Sequence, residues 1–354
     1  MNDNRGIGPD RRGFLQAAGL FGAGLALSES FLRSDEPIPQ LQLTNTGPDK
    51  IPRKPFGRTG EHVSVIGIGG YSLADAPSLK EAIAIAHEAI DAGVNFFDNA
   101  WEYHDGKSEE WMGKALKGRR DKVFLMTKVC THGRDKKVGM RQLEESLGRL
   151  QTDHLDLWQI HECVYDNDPD RHFAKGGVVE ALDEAKKAGK VRYVGFTGHK
   201  HPSIHLKMLS HNYPFDSVQM PLNAFDATYR SSQVHVLPEV NKRGMAGLGM
   251  KSLGGNGQPI IQGVVTVDEA LRYAMSLPVA TTISGIDSLA VLHQNLAIAR
   301  GFTPMTAEAM ESLRRRCGAA AGDGHLEMYK STMKYDGDLG RKMHSLPSHK
   351  ELPL

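Results

Sequence analysis

Between Val63 and Arg300 short apolar runs alternate with longer amphipathic stretches, and the alternation repeats eight times. The predicted strands are Val63–Ile68, 95–98, 123–126, 155–160, 192–196, 217–220, 246–250 and 280–284. Each is followed by a predicted helix: 79–92, 109–116, 140–150, 178–188, 204–209, 234–242, 267–276 and 289–300. Most repeats span about 30 residues, the size of one strand–helix unit. The strands lack clean polar/apolar alternation, as expected of parallel strands buried on both faces. Two architectures remain, a closed (β/α)8 barrel and an open doubly wound sheet. The open sheet would normally begin with a G-x-G-x-x-G turn after its first strand. Here that strand ends I-G-I-G-G-Y, which lacks the spacing. The expected fold is therefore α/β, a (β/α)8 TIM barrel, preceded by a hairpin around Phe56-Gly-Arg-Thr-Gly60 and followed by a C-terminal loop and helix extension.

The ends of the chain read differently. Asp10 to Gln16 is D-R-R-G-F-L-Q, and a weakly apolar Gly/Ala-rich run continues to Leu27. A charged head, a modest apolar middle and a polar exit have the layout of a twin-arginine (Tat) export signal. The run is shorter than the roughly 20 apolar residues that span a bilayer. No clean A-x-A cleavage site follows, so an uncleaved anchor stays open beside a cleaved, periplasmic product. The expected division is 1–33 signal, 34–53 linker, 54–300 barrel and 301–354 extension. Thr306 is the expected N-cap of a helix over 306–316, and the stretch with Tyr329 and Tyr335 reads as a loop-rich tail. Net charge is +1, so no basic field exists to hold nucleic acid. Cys130, Cys163 and Cys317 are widely spaced, which argues against a zinc knuckle or iron–sulfur cluster.

In such a barrel the chemistry sits at the C-terminal strand ends. Asp98 ends the second strand, and its loop carries Tyr103; Lys128 lies at the end of the third and His161 at the end of the fourth. Each has an ordinary alternative as a cap, a snorkelling lysine, a core histidine or a loop aromatic. Together, on neighbouring strand ends, they suit proton transfer to a carbonyl. A tyrosine is a weak acid, with a reference pKa of about 10. A lysine beside it is expected to favour the phenolate, and an aspartate to fix that lysine. A histidine can orient the substrate oxygen. The hydride must come from a cofactor.

These segments resemble the aldo-keto reductase superfamily. The resemblance runs through F-F-D-N-A-W-E-Y-H-D-G-K-S-E-E-W-M-G-K-A-L, V-F-L-M-T-K, L-D-L-W-Q-I-H, V-G-F-T-G-H, V-Q-M-P-L-N, M-K-S-L-G-G and I-S-G-I-D-S-L-A-V-L-H-Q-N-L, from about Lys54 to Arg300. It implies a catalytic tetrad of Asp98, Tyr103, Lys128 and His161, with Tyr103 as proton donor and Trp101 and His104 lining the substrate mouth. It implies that Thr197 and Gln219 hold a nicotinamide carboxamide. Met250 stands where an aromatic often stacks, with Lys251 beside it. Gly285, Ser288, Gln294 and Asn295 fall where the adenosine half binds. The implied cofactor is NADP(H), with NAD(H) as the alternative, because Gly285 and Val291 replace the basic residues that commonly hold a 2′-phosphate. The implied partners are a small carbonyl substrate (aldehyde, ketone or sugar) and the Tat export machinery, with no metal. The competing reading is a low-turnover nicotinamide-binding sensor or regulatory subunit on the same fold.

Overall fold

The computed structural model describes residues 41–132 and 135–352. The Tat segment and the first part of the expected linker lie outside the described residues. A hairpin of β1 (Arg53–Pro55) and β2 (His62–Ser64) precedes the barrel and pairs antiparallel, Arg53 opposite Ser64. Eight parallel strands then close on themselves: β3 (Ile66–Gly69), β4 (Phe96–Asp98), β5 (Phe124–Cys130), β6 (Leu155–His161), β7 (Val191–Thr197), β8 (Ser217–Pro221), β9 (Ala246–Met250) and β10 (Thr281–Gly285). β10 pairs with both β9 and β3, which closes the ring.

The hairpin explains one departure from expectation. Val63–Ile68 is not one strand: it breaks at Val65, so that Val63 serves the hairpin and Ile66 begins the barrel. Phe56, just after β1, then plugs the N-terminal end of the barrel, its ring centroid 4.7 Å from Phe124 and 6.0 Å from Tyr193. Phe96, Met126, Leu157, Leu248 and Ile283 continue this inner core. A second and larger core lies between the strands and the surrounding helices. Each fully buried large apolar side chain contributes about 1.5–3 kcal/mol.

Helices start where side chains can satisfy their first N–H groups. Ser78, Asp135, Thr266, Ser288 and Thr306 cap the helices Leu79–Ala92, Lys136–Leu150, Val267–Ser276, Leu289–Ala299 and Ala307–Ala321. Thr266 and Glu269 form a reciprocal capping box. The expected helix over 234–242 is instead two short pieces, Ser232–His235 and Leu237–Lys242, broken where Pro238 cannot donate to the turn before it.

The expected 34–53 linker also changes. Thr44 bridges to Arg53, Ile51 is fully buried, and Gly301 N–H donates to the Lys50 carbonyl at 3.0 Å. Residues 41–53 are thus part of the barrel domain. The tail is equally committed: the described residues from Leu41 onward form one compact unit. Among the described residues no helix is long and apolar enough to cross a membrane. All three cysteines are buried free thiols.

Candidate active site

Asp98 is the last residue of β4 and His161 the last of β6; Lys128 lies between them on β5, in register with Gln159. Period-two geometry along these strands sends the three side chains to one mouth. Lys128 Nζ donates to Asp98 Oδ1 at 2.5 Å and to the Asn99 carbonyl at 2.7 Å. It also reaches Tyr103 Oη at 3.4 Å. The Tyr103 ring meets His161 edge-on at 5.7 Å. The four residues singled out in the sequence are therefore brought together.

The loop that carries Tyr103 is held in an uncommon conformation. His104, Asp105 and Gly106 are left-handed in succession, with φ of 51°, 55° and 92°. Such backbone is costly for non-glycine residues and persists only where the surroundings enforce it. Here they do. Ser108 Oγ donates to the Gly70 carbonyl at 2.6 Å, Trp101 N–H donates to the Lys128 carbonyl at 3.1 Å, and Arg149 donates to the Trp101 carbonyl at 2.9 Å. A Cβ on Gly106 would come within 2.5 Å of the Arg149 guanidinium carbon. Ser108 lies inside the Lys107–Ala115 helix, whose N-cap is Gly106.

Two carboxylates absent from the sequence reading stand in the site. Glu102 contacts His161 Nδ1 directly. Burial pushes its carboxyl up, but His161 outweighs this and holds it below its ordinary range. Glu162 follows His161, accepts the Gly337 N–H at 2.8 Å and lies 3.5 Å from His199. These groups overturn one expectation. Tyr103 is pushed well above the ordinary tyrosine value, first by burial and then by Asp98, Glu102 and Glu162. Lys128 does not offset this, because its charge is committed to Asp98.

The mouth residues divide. His104 packs on Tyr71 at 4.4 Å, and Tyr71 meets Tyr103 edge-on at 5.3 Å, so these three rings form one wall. Tyr71 is exposed and went unnoticed in the sequence. Trp101 turns elsewhere: its indole N–H donates to Glu145 at 2.7 Å, and its ring lies under Arg149 in the helix layer.

Across the barrel, Thr197, Gln219 and Met250 sit on the successive strands β7, β8 and β9. Gln219 Nε2 lies 3.8 Å from Met250 Sδ, and its Oε1 is buried without a partner. Gly285 and Ser288 follow at the end of β10 and the cap of the next helix. Asn295 is buried and donates to Ser284 Oγ at 2.9 Å, whereas Gln294 faces outward beside Val265 and Ile298. Lys251 points to the mouth, near the ring faces of Tyr329 (5.8 Å) and Tyr335 (5.2 Å). Burial lowers its ammonium, with Glu162, Lys128 and Asp98 all in its field.

The tail supplies the lid of this mouth. Lys330 is buried between Asp226 (2.6 Å) and Glu327 (2.9 Å), and Tyr329 Oη donates to Glu327 at 2.6 Å. Asn223, left without a role from sequence, donates to Tyr329 Oη at 2.9 Å and to the Lys251 carbonyl at 3.1 Å. It ties strand end to tail.

The sequence profile of the Aldo/keto reductase family matches residues 65–257, more than half of the chain. This chain belongs to the aldo/keto reductase family. Aldo-keto reductase YhdN of Bacillus subtilis is 30% identical over 194 residues, covering 51% of this chain and 55% of the relative. Methylglyoxal reductase YeaE of Escherichia coli is 34% identical over 125 residues, covering 35% and 42%. The chain spans about half the length of the curated relatives it matches, such as the 57% covered of oxidoreductase YqkF of Bacillus subtilis. Solved structures agree on the fold. An aldo-keto reductase from Bacillus halodurans in its holo form superposes with a TM-score of 0.62 at 24% identity, over 75% of this chain and 95% of that one. The Klebsiella pneumoniae aldo/keto reductase in complex with NADP and acetate gives 0.60 at 23%, over 73% and 93%.

Proposed function

We propose that this family member is a nicotinamide-dependent carbonyl oxidoreductase in which Tyr103 passes a proton to or from the substrate oxygen. The observation that carries this reading is the Lys128 ammonium, held by Asp98 at 2.5 Å and reaching Tyr103 Oη at 3.4 Å. Lys128 donates to the phenol oxygen, so the phenol's own proton is turned toward the mouth. The surrounding carboxylates keep that proton on Tyr103 in the ground state. Glu102 occupies His161 Nδ1, which leaves Nε2 to meet a substrate oxygen. The charged pair is buried, so each hydrogen bond acts in a low dielectric.

The residues present fit a nicotinamide nucleotide. Gln219 Oε1, buried and unpaired, is an acceptor suited to a carboxamide N–H, with Thr197 on the adjacent strand. Ser288 and the N-terminus of the Leu289–Ala299 helix suit the phosphate-bearing end. When bound, the nicotinamide supplies or accepts the hydride, which no side chain can do. NADP(H) is named first because the Klebsiella neighbour was solved with NADP; NAD(H) is the alternative.

The test is nicotinamide absorbance with NADPH and NADH against a panel of aldehydes, ketones and sugars. Turnover should fall by roughly two orders of magnitude or more in Tyr103→Phe. Tight nucleotide binding with no turnover on any substrate would instead indicate the regulatory-subunit reading. Export by the Tat route to the periplasm is part of the proposal and rests on D-R-R-G-F-L-Q. A reporter fused after the leader should lose export when Arg11 and Arg12 become Lys; unchanged export would refute that part.

A further inference from the structure

Away from the tetrad, two strand-end loops and the tail meet around one buried carboxylate. Asp168 is fully buried at the start of the Asp168–Phe173 helix. Its Oδ2 accepts the N–H groups of Val164 (3.0 Å) and Tyr165 (2.9 Å), which fixes the carboxylate plane. Its Oδ1 faces two imidazoles, His132 Nδ1 at 3.3 Å and His344 Nε2 at 2.9 Å. One donor atom from each of His132, Asp168 and His344 lies within 4.8 Å of the other two. A third imidazole stands nearby, outside the donor cluster. His172 follows Asp168 at i+4, hence on the same helix face. It is fully buried, neither ring nitrogen has a partner, and it lies within electrostatic reach of Asp168, His132 and His344.

We infer that His132, Asp168 and His344 form a transition-metal site that staples the C-terminal tail to the loops after β5 and β6. Zinc takes imidazole and carboxylate at about 2.0–2.2 Å, so donors of one tetrahedral shell lie about 3.3–3.5 Å apart. The 2.9 and 3.3 Å separations are close to that spacing. Two imidazoles with a single carboxylate select zinc, copper or nickel over calcium and magnesium, which require oxygen ligands. The three cysteines gave no sign of this site, because its ligands are two histidines and an aspartate scattered over more than two hundred positions of chain. The consequence is mechanical. His344 belongs to the same tail that lays Tyr329 and Tyr335 beside Lys251, so metal would hold the lid in place.

Without metal the same groups form a hydrogen-bonded triad, and the experiment separates the two. The full-length chain, carrying no histidine tag, is stripped with EDTA, given Zn2+ and passed through gel filtration for elemental analysis. Co2+ is added in parallel as a spectroscopic probe. The native chain should retain about one Zn2+ and give the intense visible bands of tetrahedral Co2+. His344→Gln keeps a side chain able to hydrogen-bond Asp168 but is a poor ligand; it and His132→Gln should weaken binding by at least about a hundredfold. Melting curves recorded in EDTA would check that both variants fold. Zn2+ should also slow proteolysis within residues 338–352 of the native chain and not of His344→Gln. No stoichiometric metal in the native chain, or equal retention in both variants, overturns the site and leaves the hydrogen-bonded triad.

Discussion

At the scale of single residues, the site is governed by which charge each group has already spent. Lys128 looks from sequence like the group that acidifies Tyr103. In the structure Asp98 and the Asn99 carbonyl consume it, and the phenol feels three carboxylates instead. A prediction follows that is independent of substrate. Asp98→Asn removes the largest charge that raises Tyr103 and frees Lys128 to stabilise the phenolate, two changes of the same sign. The Tyr103 titration, read as tyrosinate absorbance with Tyr103→Phe as the blank, should move to lower pH by about one unit or more. An unmoved or upward titration would show that burial alone controls the phenol. The tetrad was legible because its members lie near the ends of neighbouring strands or in the loop just beyond one, where position in sequence dictates position in space. Glu102 and Glu162 were equally close in sequence, as neighbours of Tyr103 and His161. Their roles depended on side-chain direction, which strand periodicity does not settle in a left-handed loop or beyond a strand end.

At the scale of elements, the barrel strands and capped helices followed from composition and caps, and the failures share one cause. The split of Val63–Ile68, the break at Pro238, and the helices Asp168–Phe173, Gln258–Ile261, Met328–Ser331 and Asp338–Met343 are all short. Short segments have little periodicity to read, and tertiary contacts decide them. The tail shows this best, because polar rather than apolar burial orders it. Lys330 is sequestered with Asp226, Glu327 and the Tyr229 carbonyl (2.9 Å). Asp226 also accepts the N–H groups of Ser232 (3.0 Å) and Gln233 (2.7 Å), so the cluster links tail and β8 loop rigidly. Removing one partner of such a buried cluster strands the other charges and costs about 3–5 kcal/mol. Lys330→Met should therefore lower the melting temperature and expose the tail to protease ahead of the barrel. If the barrel and tail of this variant resist cleavage as the native chain does, the cluster is not what holds the lid.

At the scale of the whole molecule, balanced acidic and basic residues leave little net field, so the response to acid comes from particular buried groups. His205, inside the Pro202–Ser210 helix and 1% exposed, packs 5.7 Å from Phe196. Burial lowers its imidazole from 6.5 to about 4. Between those two values the unfolded chain binds a proton that the folded chain refuses. The unfolded state therefore gains on acidification, and stability falls as pH drops from about 6.5 to about 4. At about 1.4 kcal/mol per unit, this one histidine accounts for a loss of the order of 3 kcal/mol across the window. His205→Leu fills similar space with a group that never titrates. Its stability at neutral pH depends on packing, but its slope does not. Urea unfolding at several pH values should show native and variant curves diverging toward acid, the variant losing less. Parallel curves would mean that the imidazole finds a proton acceptor in the folded chain. His205 packs against Phe196 of β7, the strand that ends in Thr197, so acid acts on the structure beneath that side of the mouth.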